Sequence, residues 1–271
     1  MSMVEERRST ESLAEVYRNE GVVQVPGLIT GDEVEQIRTA FMSEVERDAS
    51  WARDKGVPAD DPLARYPRFI HPHRQEEMEA GRIARRLLTD ERILSLVTAL
   101  IGPALGAQSM FYFKPPGARG QALHQDNIFL RAHPETCLAA WIAIDHVDAE
   151  NGGLMVVPGS HVTEIVCPEE ADLAESFTPD QVPIPEGMHT VQTKMAPGDV
   201  LFFHGSVVHG SRPNSSADRF RRSLIFHYVP QTSTEVASFY FPLVHPEHQP
   251  VEGIGVATGG GPCGEFGEMA H

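Results

Sequence analysis

The residues of this 271-residue chain best suited to holding a metal ion lie in Leu123-His124-Gln125-Asp126. On a strand, side chains two apart project to the same face, so the His124 imidazole and the Asp126 carboxylate can reach one point. A second imidazole is offered downstream by Val208-His209-Gly210-Ser211. Two histidines and one carboxylate on one face of a metal form the facial triad of non-haem Fe(II) oxygenases, which leaves coordination positions open. A bidentate 2-oxo acid and dioxygen can share those positions. Twelve residues after His209, Arg221 opens the β-rich run RRSLIFHY. A guanidinium there can grip the distal carboxylate of a 2-oxo acid through two parallel charge-assisted hydrogen bonds. Strand alternation puts Arg221 and Ser223 on one face and Arg222 on the other, so one arginine points inward with the metal ligands. An isolated His-x-Asp is a weak signal. Its weight comes from the ordered histidine and arginine that follow.

Three stretches then carry a family resemblance: MFYFKPPGARGQALHQD, WIAIDHVDAENGGLMVVPGSH and GDVLFFHGSVVHGSRPNSSADRFRRSLIFHY. In content and order they resemble the phytanoyl-CoA dioxygenase family of Fe(II)/2-oxoglutarate oxygenases, over roughly residues 108–229. The resemblance implies a mainly β fold with flanking helices, whose core is a double-stranded β-helix (a jelly-roll, cupin-like) with iron at its mouth. It implies His124, Asp126 and His209 as metal ligands and Arg221 as the 2-oxoglutarate anchor, selected by counting back from Tyr228. The loop between His209 and Arg221 is one residue longer than the family's usual pattern, which leaves Arg222, and less so Arg219, as substitutes. Met110 and Trp141 are expected to line the 2-oxoglutarate pocket, Gln125 to lie between the ligands, and Ser211 to donate its hydroxyl to the distal carboxylate. Fe(II), 2-oxoglutarate as co-substrate and O2 are the implied cofactors. The implied reaction is hydroxylation of an unactivated C–H of a small metabolite or natural-product intermediate, with release of succinate and CO2. Desaturation, cyclisation and epoxidation stay open, whereas Asp126 disfavours halogenation because a halide would need its position.

The elements that must position these residues read as a single domain over 1–271. Residues 1–104 form a mostly helical support, 105–230 the jelly-roll core and 231–271 a C-terminal extension. Thr10 is expected to cap a helix through Tyr17, Val22 to Val25 to form a strand, and Thr30 to precede a helix with its apolar face on Val34, Ile37, Phe41 and Val45. Residues 49–80 read as a long irregular excursion, and Asp90 to Ile101 as a helix capped by Thr89. Short β-rich runs at 108–114, 137–144, 154–157, 199–203 and 221–229 favour a sandwich or barrel over a doubly wound sheet. The Gly- and Pro-rich end from Pro246 reads as a disordered tail or as a segment draped over the body.

Candidate substrate contacts are Phe111 and Phe113, co-facial by alternation, with Lys114, Asn127, Phe129 and Arg131, and Arg68 and His71 in the excursion. Each aromatic has a plain core role as its alternative. Lys114 can equally be a surface residue. His161 and His204 read as structural, His227 as facing the interior without ligating, and His71 and His73 as a solvated loop.

Lys plus Arg is 22 and Asp plus Glu is 38, giving −16. That field repels nucleic acid and anionic membrane, which leaves a small-molecule substrate as the expected partner. No apolar run approaches the ~18 residues of a membrane span. MSMVEERRST lacks an apolar signal core, and Cys137, Cys167 and Cys263 form no disulfide framework, so a cytoplasmic location is expected. Two other classes fit parts of the pattern. One is a cupin-like Zn or Mn enzyme that does not need Arg221. The other is a catalytically silent 2-oxoglutarate-binding protein.

Overall fold

Ser9, not Thr10, caps the first helix: its hydroxyl accepts from the Ser12 amide at 3.3 Å, and α1 spans Thr10–Glu20. Gly21, at φ 69°, ends it in the left-handed region and turns the chain into β1 (Val22–Val25). The computed structural model describes residues 9–48, 61–134, 137–163 and 165–258. α2 (Gly31–Asp48) starts from a reciprocal cap, with Thr30 accepting from the Glu33 amide and Glu33 accepting from the Thr30 amide.

The expected excursion over 49–80 holds elements within its described part, residues 61–80. These are α3 (Pro62–Arg65), β2 (Phe69–Ile70) and the start of α4 (Glu79–Leu88). α5 (Glu91–Ile101) follows, and the Asp90 carboxylate caps it at 2.9 Å from the Arg92 amide. Thr89, the expected cap, instead closes α4.

The strands of the body are β3 (Ala104–Tyr112), β4 (Gln121–His124), β5 (Leu138–Ala143) and β6 (Leu154–Val156), with the short helix α6 (Asn127–Leu130) after β4. Then come β7 (Glu169–Glu170), β8 (Asp180–Gln181), β9 (Val191–Gln192), β10 (Val200–His204), β11 (His209–Ser211), β12 (Ser223–Pro230), β13 (Glu235–Val236) and β14 (Gly255–Val256). Two antiparallel sheets dominate this mixed α/β arrangement. One has six strands in the order β1-β10-β5-β12-β3-β2, and the other four in the order β4-β11-β6-β9.

The large sheet is buried on both faces. Its outer face (Phe111, Ile142, Phe202, Leu224, Phe226) packs on Ile37, Phe41, Leu87 and Val97 of the helices. Phe41 stacks on Phe111 with ring centroids 4.0 Å apart. The inner face (Met110, Trp141, Leu201, Ile225) meets Leu154 and Val156 of the smaller sheet. Phe111 therefore belongs to the helix-side core and not to a substrate pocket, because alternation sends it away from Met110.

His71 and His73 are buried, which corrects the expectation of a solvated loop. The His71 amide donates to the Ser109 carbonyl at 2.8 Å, and His73 Nδ1 lies 2.7 Å from Ser109 Oγ. Burial, reinforced by Arg74, pushes each imidazole down from 6.5 to about 3. The unfolded chain takes up these protons near its ordinary value while the folded chain refuses them. The resulting stability is complete above the unfolded value and is lost as pH falls toward the folded one. Thermal melts should show a midpoint that drops between about pH 7 and about pH 5, and His73→Gln should flatten that drop.

Before residue 259 the C-terminal segment is draped over the body. β14 pairs with β13, and Val251 and Ile254 pack near Tyr240 and Leu243. Residues 259–271, with Cys263, lie outside the described residues. Cys167 is disulfide-bonded, where the spacing suggested none.

Candidate metal centre and co-substrate pocket

β4 and β11 pair so that His124 and His209 are direct cross-strand partners, with ring centroids 4.2 Å apart. Asp126 does not share their strand. β4 stops at His124, and Asp126 adopts helical angles (φ −60°, ψ −33°) in the turn that opens α6. A strand-to-helix turn, and not a shared strand face, brings the carboxylate to both rings. Asp126 Oδ1 lies 3.5 Å from Nε2 of each histidine, and one ligand atom from each of the three lies within 4.8 Å of the others.

The backbone fixes both tautomers. His124 Nδ1 lies 2.9 Å from the Ala122 carbonyl and His209 Nδ1 3.0 Å from that of Val207. A carbonyl only accepts, so each Nδ1 carries the proton and each Nε2 presents a lone pair toward Asp126. The Gln121 amide nitrogen lies 3.2 Å from His124 Nε2. The other Asp126 oxygen, Oδ2, lies 3.1 Å from His227 Nε2, which must be its donor. Burial alone would raise the Asp126 carboxyl, but the imidazoles around it, His227 donating to Oδ2 among them, hold it well below the usual carboxylate range. Burial lowers His209 to about 4 against the opposing pull of Asp126, so it is neutral at pH 7. Two imidazoles and one carboxylate oxygen, all buried, form a donor set that fits a divalent transition metal with open positions.

The triad shares one cleft with Met110, Trp141 and Ile225 of the larger sheet and with Lys114, Ser211 and Arg221. Arg221 is buried. It donates to Ser223 Oγ at 3.0 Å and lies 5.5 Å from the centre of the Trp141 ring. Burial brings its guanidinium down to about 10, with Tyr112 and Asp145 acting in the opposite sense. Arg222 points the other way, into a fork on Asp145 at 2.8 and 2.7 Å. Arg219 is paired with Asp148 and Glu150. Of these three arginines, Arg221 is the one that lines the cleft.

Several expected contacts sit elsewhere. Gln125 faces away from the triad, donating to the Ser206 carbonyl at 2.8 Å and accepting from the Val166 amide at 2.9 Å. Asn127 braces the α6 turn through its Ala132 bonds, both 3.3 Å, and is not a substrate contact. Phe113 reaches the cleft edge, and the Phe129 ring lies 6.3 Å from that of His124. His161 Nε2 lies 3.2 Å from the Arg18 carbonyl, and His204 accepts from the Ser206 amide, both structural contacts. Tyr112, Ile225 and His227 also line the cleft. His227 was expected to face the interior, and the parity of Met110 and Arg221 along their strands would have found Tyr112 and Ile225 as well.

Antiparallel sheets enclosing a buried two-histidine, one-carboxylate site define the class of non-haem metal oxygenases. The chain matches the family described as "Phytanoyl-CoA dioxygenase (PhyH)" over residues 17–223, and it belongs to that family. Mouse peroxisomal phytanoyl-CoA dioxygenase (Mus musculus) is 28% identical over 235 residues, covering 78% of this chain and 66% of that protein. A methylphosphonate hydroxylase from Gimesia maris is 28% identical over 245 residues, covering 86% and 85%. The chain spans less than two-thirds of several relatives, 66% of the mouse protein and 43% of phytanoyl-CoA dioxygenase 1 from rice (Oryza sativa subsp. japonica). Among solved structures, the non-heme alpha ketoglutarate dependent carbocyclase SnoK from nogalamycin biosynthesis superposes with a TM-score of 0.67 at 25% identity, covering 84% and 87%. The epimerase SnoN, solved with Fe3+, alpha ketoglutarate and nogalamycin RO, gives 0.67 at 24% identity, covering 83% and 85%.

Proposed function

We propose that this chain is a Fe(II)- and 2-oxoglutarate-dependent dioxygenase that hydroxylates a C–H of a small metabolite or natural-product intermediate, releasing succinate and CO2. One observation carries this reading. A single cleft joins the His124, Asp126 and His209 donor set to two buried cations, Arg221 and Lys114. Neither cation has a carboxylate within ion-pair distance among the described residues. A 2-oxo dicarboxylic acid bridges these ends, with its chelating head at the triad and its distal carboxylate at the arginine.

In this reading His124 and His209 present Nε2, and His227 holds one Asp126 oxygen so that the other faces the metal. Bound Fe(II) supplies dioxygen activation coupled to decarboxylation of the 2-oxo acid. Arg221 and Ser211 anchor the distal carboxylate, setting the co-substrate's orientation. Met110 and Trp141 wall its chain and exclude water. The two sheets correspond to the double-stranded β-helix of the family, with residues 1–104 as support and 231–271 as an extension of one domain. Substrate choice then falls to other residues that line the cleft, among them Leu63, Arg119 and Phe177.

Adding Fe(II) and 2-oxoglutarate without oxygen should produce a weak visible charge-transfer band from the chelate. Screening metabolite extracts in air should then reveal compounds that stimulate succinate formation. A protein that binds iron yet gives no band with 2-oxoglutarate would sink the reading.

A further inference from the structure

Lys114 continues the inner run of β3, and its backbone exchanges two 3.0 Å hydrogen bonds with Arg221. Two cationic side chains thus leave neighbouring chain segments side by side. Lys114 is 3% exposed and Arg221 5%. The Lys114 ammonium directs all three of its protons to neutral oxygens: Ser211 Oγ at 2.7 Å, the Arg212 carbonyl at 2.7 Å and the Gly152 carbonyl at 3.2 Å. The channel around its stem is tight. Gly152 has φ 71°, and a Cβ there would stand 2.6 Å from the Arg212 carbonyl oxygen and 2.7 Å from Lys114 Cδ.

Ser211 Oγ accepts from Lys114 and also from the Gln121 amide at 3.3 Å. A hydroxyl has two acceptor positions and one proton. With both acceptor positions taken, the Ser211 proton has one use left, donation into the cleft that Ser211, Lys114 and Arg221 line together. Two adjacent buried charges of like sign and an O–H fixed as a donor call for a group that is negative and only accepts. Burial, reinforced by Arg221, holds the ammonium well below its usual value, and an anion at this spot would reverse that penalty.

We propose that Lys114 is a positioning residue for the co-substrate: it locks Ser211 as a hydrogen-bond donor and doubles the positive charge facing the distal carboxylate. This deepens the dioxygenase reading and rests on it. Trimming the stem at this position would not only loosen the loops that carry Gly152 and Arg212. It would selectively weaken ligands that carry a distal carboxylate.

The test is an anaerobic titration of the Fe(II)-loaded protein, followed by the chelate's visible absorption. The two ligands are 2-oxoglutarate and 2-oxopentanoate, which keeps the chelating head and ends in a methyl group. Lys114→Met is expected to weaken 2-oxoglutarate by about 10- to 100-fold, the loss typical of a hydrogen bond to a charged group, with 2-oxopentanoate unchanged within about twofold. Lys114→Gln, which keeps amide donors without the charge, guards against misfolding of the methionine variant and should show the same selectivity. In a Ser211→Ala background the lysine substitution should cost less than alone, since the two act through one hydrogen bond. Equal weakening of both ligands, or no weakening of 2-oxoglutarate, would overturn the role of Lys114. A wild-type protein without chelate absorption would instead overturn the dioxygenase reading beneath it.

Discussion

Asp126→Ala is expected to abolish Fe(II) binding and turnover together. The carboxylate is the one anion in the triad, and it faces both Nε2 atoms at 3.5 Å. Without it, two imidazoles must hold a divalent ion in a buried site that offers no compensating charge. Losing a partner that only orients a ligand costs about 10- to 100-fold in metal affinity, so losing the ligand itself should exceed about 100-fold. His227 provides the graded comparison. Its Nε2 is 3.1 Å from Asp126 Oδ2, so His227→Leu leaves the ligand in place and frees it to rotate. That variant should fall within the smaller range and retain residual succinate formation at saturating iron. Titration with Fe(II) or Co(II), followed optically, reads both variants on one scale. Unchanged affinity in Asp126→Ala would remove the triad, and with it every role assigned to the cleft.

The ligands were legible in the sequence because metal coordination requires rare residue types in a particular order. The way they converge was less legible, since Asp126 reaches the site from a helical turn and not from the strand that ends at His124. Where a strand is buried on both faces, as all of Ala104–Tyr112 is, polarity no longer marks the inward side. Alternation still forbids Met110 and Phe111 from lining one pocket, and stacking on Phe41 claims Phe111 for the core. α4 escaped notice although Ala80, Ile83, Ala84 and Leu87 form an apolar face set against Arg82, Arg85 and Arg86, because its first turn falls at the end of the Pro-, Arg- and Glu-rich stretch that reads as irregular. His71, His73 and Lys114 are hydrophilic residues in Pro-rich surroundings. Their burial is imposed by packing from distant segments, a tertiary effect with no local signature.

Arg221→Ala should raise the 2-oxoglutarate concentration needed for half-maximal turnover by about 100-fold or more, the expected cost of losing two hydrogen bonds to a charged group. Arg222→Ala should change it by less than about threefold, because a residue on the opposite strand face influences the cleft only indirectly. The two arginines are adjacent in sequence and chemically identical, so the contrast tests placement alone. Arg222 already has its anion, with Asp145 accepting from its side chain at 2.8 and 2.7 Å and from its backbone amide at 2.8 Å. Its removal leaves a partly buried carboxylate with Arg38 alone, at 3.7 Å, and should therefore appear in the thermal midpoint. Arg221 has no such partner among the described residues, and its Nε is buried without an acceptor there. Arg221→Lys adds a third point, since a lysine keeps the charge but loses the planar fork and should recover part of the affinity. If Arg222→Ala proved the more damaging for 2-oxoglutarate, the extra residue between His209 and Arg221 would have shifted the functional register by one. The inward face of β12 would then have to be reassigned from Ser223 onward.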